Sequence, residues 1–209
     1  MNEAQSRQDK VMRETVILSL VFFFLLTTFL SFYYIIVFIL SQDPNQYSYT
    51  GMVAIGSNFI FYLIGLSFTS TIRNYKRQLL IVACCFAANY AVYLPGLTHF
   101  WGLMAVIVGS LMSGPAMAVL WVSQGGYIST LFRLYEVREE EEGRYIGVMN
   151  TLIYVPILFG ALVTLAVTAF SKTAYLFILV GLCLVGFIIC YFFLDPLEEE
   201  PLENEEEIS

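Results

Sequence analysis

The fold is decided by residues Gly109–Thr130, which read GSLMSGPAMAVLWVSQGGYIST. The stretch carries no charged residue and is long enough for a membrane helix. Ser110, Gly114 and Ala118 are spaced by four, so they share one face of that helix. Small residues at this spacing let two helix backbones come close in lipid, where van der Waals packing drives association. We therefore predict a helix specified for close packing against a neighbour.

The same helix carries a proline and a tryptophan. Trp121 and Gly125 continue roughly the same stripe toward the end of the stretch. Pro115 removes one backbone donor and clashes with the preceding turn, so we predict a kink near Leu111. Trp121 then either fills the gap that the kink opens or anchors the helix at the membrane interface. Val106, outside the stripe, is predicted to face lipid.

The composition indicates a membrane protein. The chain of 209 residues is 58% hydrophobic and only 13% charged, whereas a soluble domain is about half apolar and about a quarter charged. The four cysteines lie inside apolar runs and lack the spacing of metal ligands. They are predicted to be small buried or lipid-facing residues.

The remaining apolar runs predict an all-α, polytopic fold with six membrane spans. The approximate bounds of these spans are 16–40, 49–70, 79–94, 100–130, 145–170 and 174–194. A polar N-terminal segment, 1–15, precedes the six-helix bundle of 16–194, and an acidic C-terminal tail, 195–209, follows it.

Lysine and arginine are distributed unevenly between the two sides of this arrangement. One predicted side carries only Lys172. The other carries Arg7, Lys10, Arg13, Arg73, Lys76, Arg77, Arg133, Arg138 and Arg144. Because basic loops stay on the cytoplasmic side, both termini are expected on the cytoplasmic face, or on the matrix face if the membrane is the mitochondrial inner membrane.

The predicted spans contain no Asp, Glu, Lys, Arg or His. Ion-coupled carriers, proton relays and voltage sensors need ionisable groups at membrane depth. The single histidine, His99, falls in a predicted short loop, where it is expected to be exposed or interfacial. No Gly-rich phosphate loop or Ser/His/Asp set is present. We therefore expect no enzyme, no cofactor and no metal site.

The polar groups at membrane depth are neutral amides and hydroxyls. The four most prominent amides are Asn58, Asn89, Gln124 and Asn150. Buried amides usually form hydrogen bonds between helices, each contributing about 0.6 to 2 kcal/mol. The alternative is that these four residues line a path for a neutral solute.

The C-terminal tail holds eight acidic residues and no basic one between Asp195 and Ser209. Such a segment is too charged to bury itself and is repelled by anionic lipid. We expect it to meet a basic partner surface, and nucleic acid is not an expected partner.

A family resemblance is carried by Leu120, Trp121, Gln124, Gly125 and Tyr127. This ending resembles the signature of the Unc-ninety-three-like membrane proteins, a branch of the major facilitator superfamily. Supporting positions in the flanking segments are Tyr49–Gly51, Asn58, Arg73–Arg77, Tyr90, Tyr93 and Gly143–Tyr145. The resemblance covers Tyr49–Gly160.

The resemblance implies one six-helix half of a facilitator fold, since such transporters combine two halves of about six helices each. The chain departs from the family in two further ways. Its first predicted helix lacks the Asn and Gln of family members, and its basic hairpin lacks the acid that begins the superfamily motif there. Because transport requires two halves rocking around a shared site, this chain is expected to transport only as a dimer of halves.

Members of this family are regulatory partners of ion channels and escorts of membrane receptors, so the resemblance implies an accessory role. We expect a non-catalytic accessory or structural subunit of a large membrane complex, for example a mitochondrial respiratory assembly or an ion-channel complex. Its expected partners are lipids and other membrane-protein subunits. The alternatives are a facilitator-type transporter of a neutral solute acting as a dimer of halves, and a trafficking escort for membrane proteins.

Overall fold

A computed structural model describes residues 3–41, 47–69, 74–93, 99–167 and 172–197. The described residues form six helices and no strand. The helices are α1, Glu3–Ser41; α2, Tyr47–Phe68; α3, Tyr75–Val92; α4, His99–Leu134; α5, Glu139–Val167; and α6, Lys172–Phe193. The all-α prediction is confirmed. Arg73 and most of the predicted acidic tail lie outside the described residues.

Four helices in the described ranges are long and apolar enough to cross a membrane. Their apolar segments are Gln5–Tyr33, Met104–Leu134, Glu139–Leu165 and Ala174–Phe193. Helix α2 contributes a shorter apolar segment, Val53–Ser67. Large apolar side chains are exposed along α2, α5 and α6, including Phe59, Leu158, Leu165 and Phe192. A surface of this kind suits lipid rather than water.

The two longest helices extend beyond the predicted spans. Helix α1 begins at Glu3 and continues without a break through the predicted polar segment 1–15. Helix α4 begins at His99, so this histidine is the first residue of a helix rather than part of a loop. Helix α4 also continues through Pro115 to Leu134, where a short connector of residues 135–138 leads into α5.

The most extensive helix packings follow a pattern of exchange. Helix α4 packs on α2 and α3, and helix α1 packs in the same way on α5 and α6. Helix α3 also packs on α6. Exchanging α1 with α4, α2 with α5 and α3 with α6 reproduces the same set of packings. Helix α1 starts at the end of the bundle where α4 finishes, because Arg7 reaches Glu136 beside the end of α4. The two groups of three helices are therefore inverted relative to each other.

Candidate functional site

The close-packing stripe of α4 lies against α2. A Cβ added at Gly114 would stand 2.8 Å from the backbone oxygen of Asn58 and 2.9 Å from the backbone nitrogen of Tyr62. On the opposite side of the contact, a Cβ at Gly65 would stand 2.5 Å from Cα of Pro115 and 3.1 Å from Cβ of Ala118. Neither glycine has room for a side chain. We call this contact the α2–α4 seam, formed by Ala54, Asn58 and Gly65 of α2 and Ser110, Ser113, Gly114, Pro115 and Ala118 of α4.

Hydrogen bonds join the two helices along this seam. The amide Nδ2 of Asn58 donates to Oγ of Ser113 at 2.7 Å, and that hydroxyl donates in turn to the Gly109 carbonyl at 2.9 Å. Oγ of Ser110 donates to the Ala54 carbonyl at 3.4 Å. All three polar side chains are buried. Asn58 and Ser110 thus connect α2 with α4, which is the bundle-forming role expected of buried polar side chains in lipid.

The second half of the family-like stretch departs from the predicted stripe. Trp121 is 40% exposed and touches α1, its ring lying edge-on to Phe22 at 5.6 Å between centroids. A Cβ at Gly125 would meet no atom within 4 Å. Gln124 is buried and turns toward α5, where its Nε2 donates to Sδ of Met149 at 3.1 Å. The seam with α2 therefore ends at Ala118, and the residues after it contact other helices.

The four amides proposed for a solute path do not come together. Asn58 belongs to the α2–α4 seam, and Gln124 faces Met149. Asn89 is buried on α3, where its Oδ1 occupies the space that a side chain at position 109 would need. Asn150 is exposed on α5. In the described part of the chain, each of these amides has separate surroundings.

A grouping that the sequence did not predict, which includes Tyr127 of the family-like signature, lies where α1, α4 and the end of α6 meet. The Glu14 side chain is 1% exposed, although it belongs to the segment predicted to be polar and to lie outside the spans. Its Oε2 accepts a hydrogen bond from the Tyr127 hydroxyl at 2.9 Å and another from the Asp195 backbone N–H at 3.0 Å. The Tyr127 hydroxyl also lies 3.1 Å from the Asp195 carbonyl. We call Glu14, Tyr127 and Asp195 the end cluster.

Two ion pairs, each with a partly exposed basic side chain, border the end cluster. Arg13 Nη2 lies 3.4 Å from Oε1 of Glu14, and Lys10 Nζ lies 3.4 Å from Oδ2 of Asp195. Because Arg13 is 59% exposed, solvent weakens its attraction for the buried carboxylate. The end cluster therefore depends mainly on its two hydrogen-bond donors, which hold the residue after α6 and the last part of α4 against α1.

One feature of the sequence does point to Glu14. The buried residues of α1 include Val11, Leu18, Val21 and Leu25. Glu14 follows Val11 by three and precedes Leu18 by four, so it falls on the buried face of the helix. Helical periodicity carried back into the polar segment would have placed this carboxylate inside the bundle.

Tyr127 is the residue of the family-like signature most involved in this chemistry. It is fully buried, and its hydroxyl is the only part of the signature in the end cluster. Within the described ranges, no three His, Cys, Asp or Glu side chains are close enough to hold a metal ion. The hydrogen bonds of the cluster hold α1, α4 and the residue after α6 together. Protein-family models give no match to the chain, and a comparison with curated proteins gives none either.

Proposed function

We propose that this chain is a non-catalytic, multi-pass membrane protein that serves as an accessory or structural subunit of a larger membrane assembly. A mitochondrial respiratory assembly and an ion-channel complex are the two settings we consider first. The proposal rests on the observation that polar side chains of the described bundle form contacts between helices. Asn58, Gln124 and Glu14 each hold one helix against another.

The outer surface supports this proposal. Exposed apolar side chains run along α5, from Tyr154 to Leu165, and along α6, from Phe177 to Phe193. Neither of these faces is covered by another described helix. Lipid can cover them, and so can the apolar helices of a partner, which pack by shape and dispersion in the same way.

The charge distribution supports a defined orientation. Arg7, Lys10 and Arg13 of α1 lie at the same end as the end of α6, because Lys10 pairs with Asp195. The connector of α4 and α5 is at this end as well, since Gln8 Nε2 donates to Oε1 of Glu141 at 2.9 Å. We propose that this charged end faces the cytoplasm or the mitochondrial matrix. The acidic tail begins at this end and would meet its basic partner there.

The exchange pattern of helix packings supports membership of the facilitator type. Inverted groups of three helices within one six-helix half are a known design of those transporters. We propose on this basis, and on the Trp121–Tyr127 signature, that the chain is a half-facilitator related to the Unc-ninety-three-like proteins. All six helices then cross the membrane, α2 and α3 included.

The test is gentle purification of the full chain from its own membrane. The protein is tagged at its N-terminus, solubilised in a mild detergent, and the mass of the intact particle is measured together with its subunit composition. We expect a particle larger than one chain in its detergent belt, containing at least one other membrane protein in fixed stoichiometry. A monodisperse monomer without a partner would contradict the proposal.

A second function, transport of a neutral solute by a dimer of halves, is favoured by the same exchange pattern. It predicts a particle containing two copies of this chain and solute uptake by proteoliposomes. That uptake should fall when Gln124, the buried amide of α4, is changed to Ala. Uptake that is absent, or unchanged in the variant, would leave the accessory role as the better explanation.

A further inference from the structure

A cleft of about 480 Å³ lies between the end of α4 and the start of α5. Within the described residues these two helices do not pack extensively on each other, and the connector closes the space between them. Buried Ile128 and Phe132 of α4 line the cleft together with Ile146 of α5. Gly125 lines it as well, at a point where no atom would meet an added Cβ. The volume is within the range of about 300 to 1,000 Å³ that is usual for ligand sites.

Charges of both signs line the same cleft. Arg133 stands in the last turn of α4, and Glu142 stands in the first turn of α5. Across the described residues the ion pairs are Arg7–Glu136, Lys10–Asp195 and Arg13–Glu14. Arg133 and Glu142 thus face one cleft with opposite charges and do not pair with each other. A ligand that carried both a negative and a positive group could reach both of them.

The apolar and charged residues that line the cleft occupy different positions along α4. Gly125 and Ile128 lie toward the apolar interior of α4, and Arg133 lies two turns closer to the charged end. The cleft is therefore apolar toward the membrane interior and charged toward the water. A lipid molecule has the same order, with its acyl chains inside and its headgroup at the interface.

We propose that this cleft binds one zwitterionic phospholipid with a primary ammonium, of the phosphatidylethanolamine type. Its phosphate pairs with the Arg133 guanidinium, which is suited to planar recognition of phosphate. Its ammonium pairs with the Glu142 carboxylate. The upper part of one acyl chain lies along Ile128 and Ile146, beside the bare backbone of Gly125. An anionic lipid without the ammonium gains only the first pair and leaves Glu142 facing its phosphate.

The experiment is native mass spectrometry of the full chain, released from detergent after titration with phosphatidylethanolamine or phosphatidylglycerol of identical acyl chains. We expect wild-type protein to bind the first lipid more tightly, by about threefold, which corresponds to one partly exposed ion pair. Glu142→Gln should remove this preference by weakening the binding of phosphatidylethanolamine alone. Arg133→Gln should weaken the binding of both lipids. Equal affinities for the two lipids, or loss of both in Glu142→Gln, would overturn the proposal.

A steric pair of variants separates this cleft from general lipid contact. Gly125→Phe fills the cleft, whereas Gly147→Phe adds the same group to α5 at a position that also has no atom within 4 Å and does not line it. We expect Gly125→Phe to lower the affinity for phosphatidylethanolamine by about tenfold, which corresponds to the loss of a well-packed acyl segment. The Gly147→Phe variant should bind this lipid with the wild-type affinity. Equal effects of the two substitutions would assign the binding to the general lipid surface.

Discussion

The α2–α4 seam and the end cluster hold helices together by opposite means. In the seam, Gly114 and Gly65 remove side chains so that two backbones approach, and the polar groups that remain are neutral. In the end cluster, the buried Glu14 carboxylate accepts hydrogen bonds from the Tyr127 hydroxyl of α4 and from the backbone N–H of Asp195, which follows α6. The seam lies in uncharged stretches of α2 and α4, where a buried charge would be costly. The cluster lies next to the charged end, where a carboxylate can be accommodated.

The two regions tolerate different substitutions. The seam is sensitive to added volume, because backbone atoms cannot move aside for a new side chain. The end cluster is sensitive to the loss of an acceptor, because the buried Tyr127 hydroxyl and the partly buried Asp195 N–H both donate to Glu14.

The largest effect is expected for Gly114→Leu. A side chain there would start 2.8 Å from the Asn58 backbone oxygen, so the two helices must separate. We expect a loss of about 3 kcal/mol or more in the free energy of unfolding, at the upper end of overpacking costs. Thermal unfolding in detergent, followed by circular dichroism, measures it. Gly125→Leu on the same helix is the control, and equal losses in the two variants would remove the seam from the explanation.

The next effect is expected for Glu14→Ala. The change leaves the Asp195 N–H without its acceptor and leaves the Tyr127 hydroxyl only the Asp195 carbonyl, at 3.1 Å. An unsatisfied group costs about 1 to 3 kcal/mol, and we expect a loss of about 2 kcal/mol. Arg7→Ala, which breaks the ion pair with Glu136 between two exposed side chains, should change stability by less than about 0.5 kcal/mol. If the two alanine variants unfold at the same denaturant concentration, Glu14 does not hold the cluster together.

A smaller effect is expected for Asn58→Ala in the seam. It removes the 2.7 Å hydrogen bond to Ser113 without adding volume. Hydrogen bonds between membrane helices contribute about 0.6 to 2 kcal/mol, so a loss of about 1 kcal/mol should be seen in the same unfolding assay. Asn150→Ala, at an exposed amide, should unfold like wild type. A loss at position 150 as large as at position 58 would show that the hydrogen bond is not the cause.

The smallest effect is expected for Lys10→Met at the edge of the end cluster. Lys10 and Asp195 pair at 3.4 Å, but both side chains remain 40% exposed or more. An exposed pair contributes about 0.2 to 1 kcal/mol, and salt screens it. The variant and wild type should therefore differ by about 0.5 kcal/mol at low salt and converge at high salt. A difference that is independent of salt would indicate that Lys10 acts through packing.

The helices and the packing face of α4 could be predicted because both depend on residues that are close together in the sequence. Runs of apolar residues predict helices, and the spacing of Ser110, Gly114 and Ala118 within one helix predicts a packing face. The first and last residues of individual helices were harder to predict from the sequence. The polar residues at the start of α1 continue the helix, and the residues they pair with, in the connector and at Asp195, are far away in the sequence.

The partners of each face could not be predicted from one sequence. Val106 was expected to face lipid and is 2% exposed, so that expectation is wrong. Both sides of α4 are covered, by α2 and by α3, which a single stripe of small residues does not reveal. Glu14, Tyr127 and Asp195 are far apart in the chain, and only the crossing of three helices brings them together.

The accessory role requires that buried Asn58 and Gln124 hold helices together instead of lining a water-filled path. The most direct test is cysteine accessibility in membranes, with all four native cysteines replaced. Asn58→Cys and Gln124→Cys replace buried amides, and Ser6→Cys provides an exposed control at the charged end, away from the cleft. Treated with a membrane-impermeant thiol reagent added to both sides, only Ser6→Cys should be labelled. Rapid labelling of both buried positions would contradict the accessory role and support a solute path.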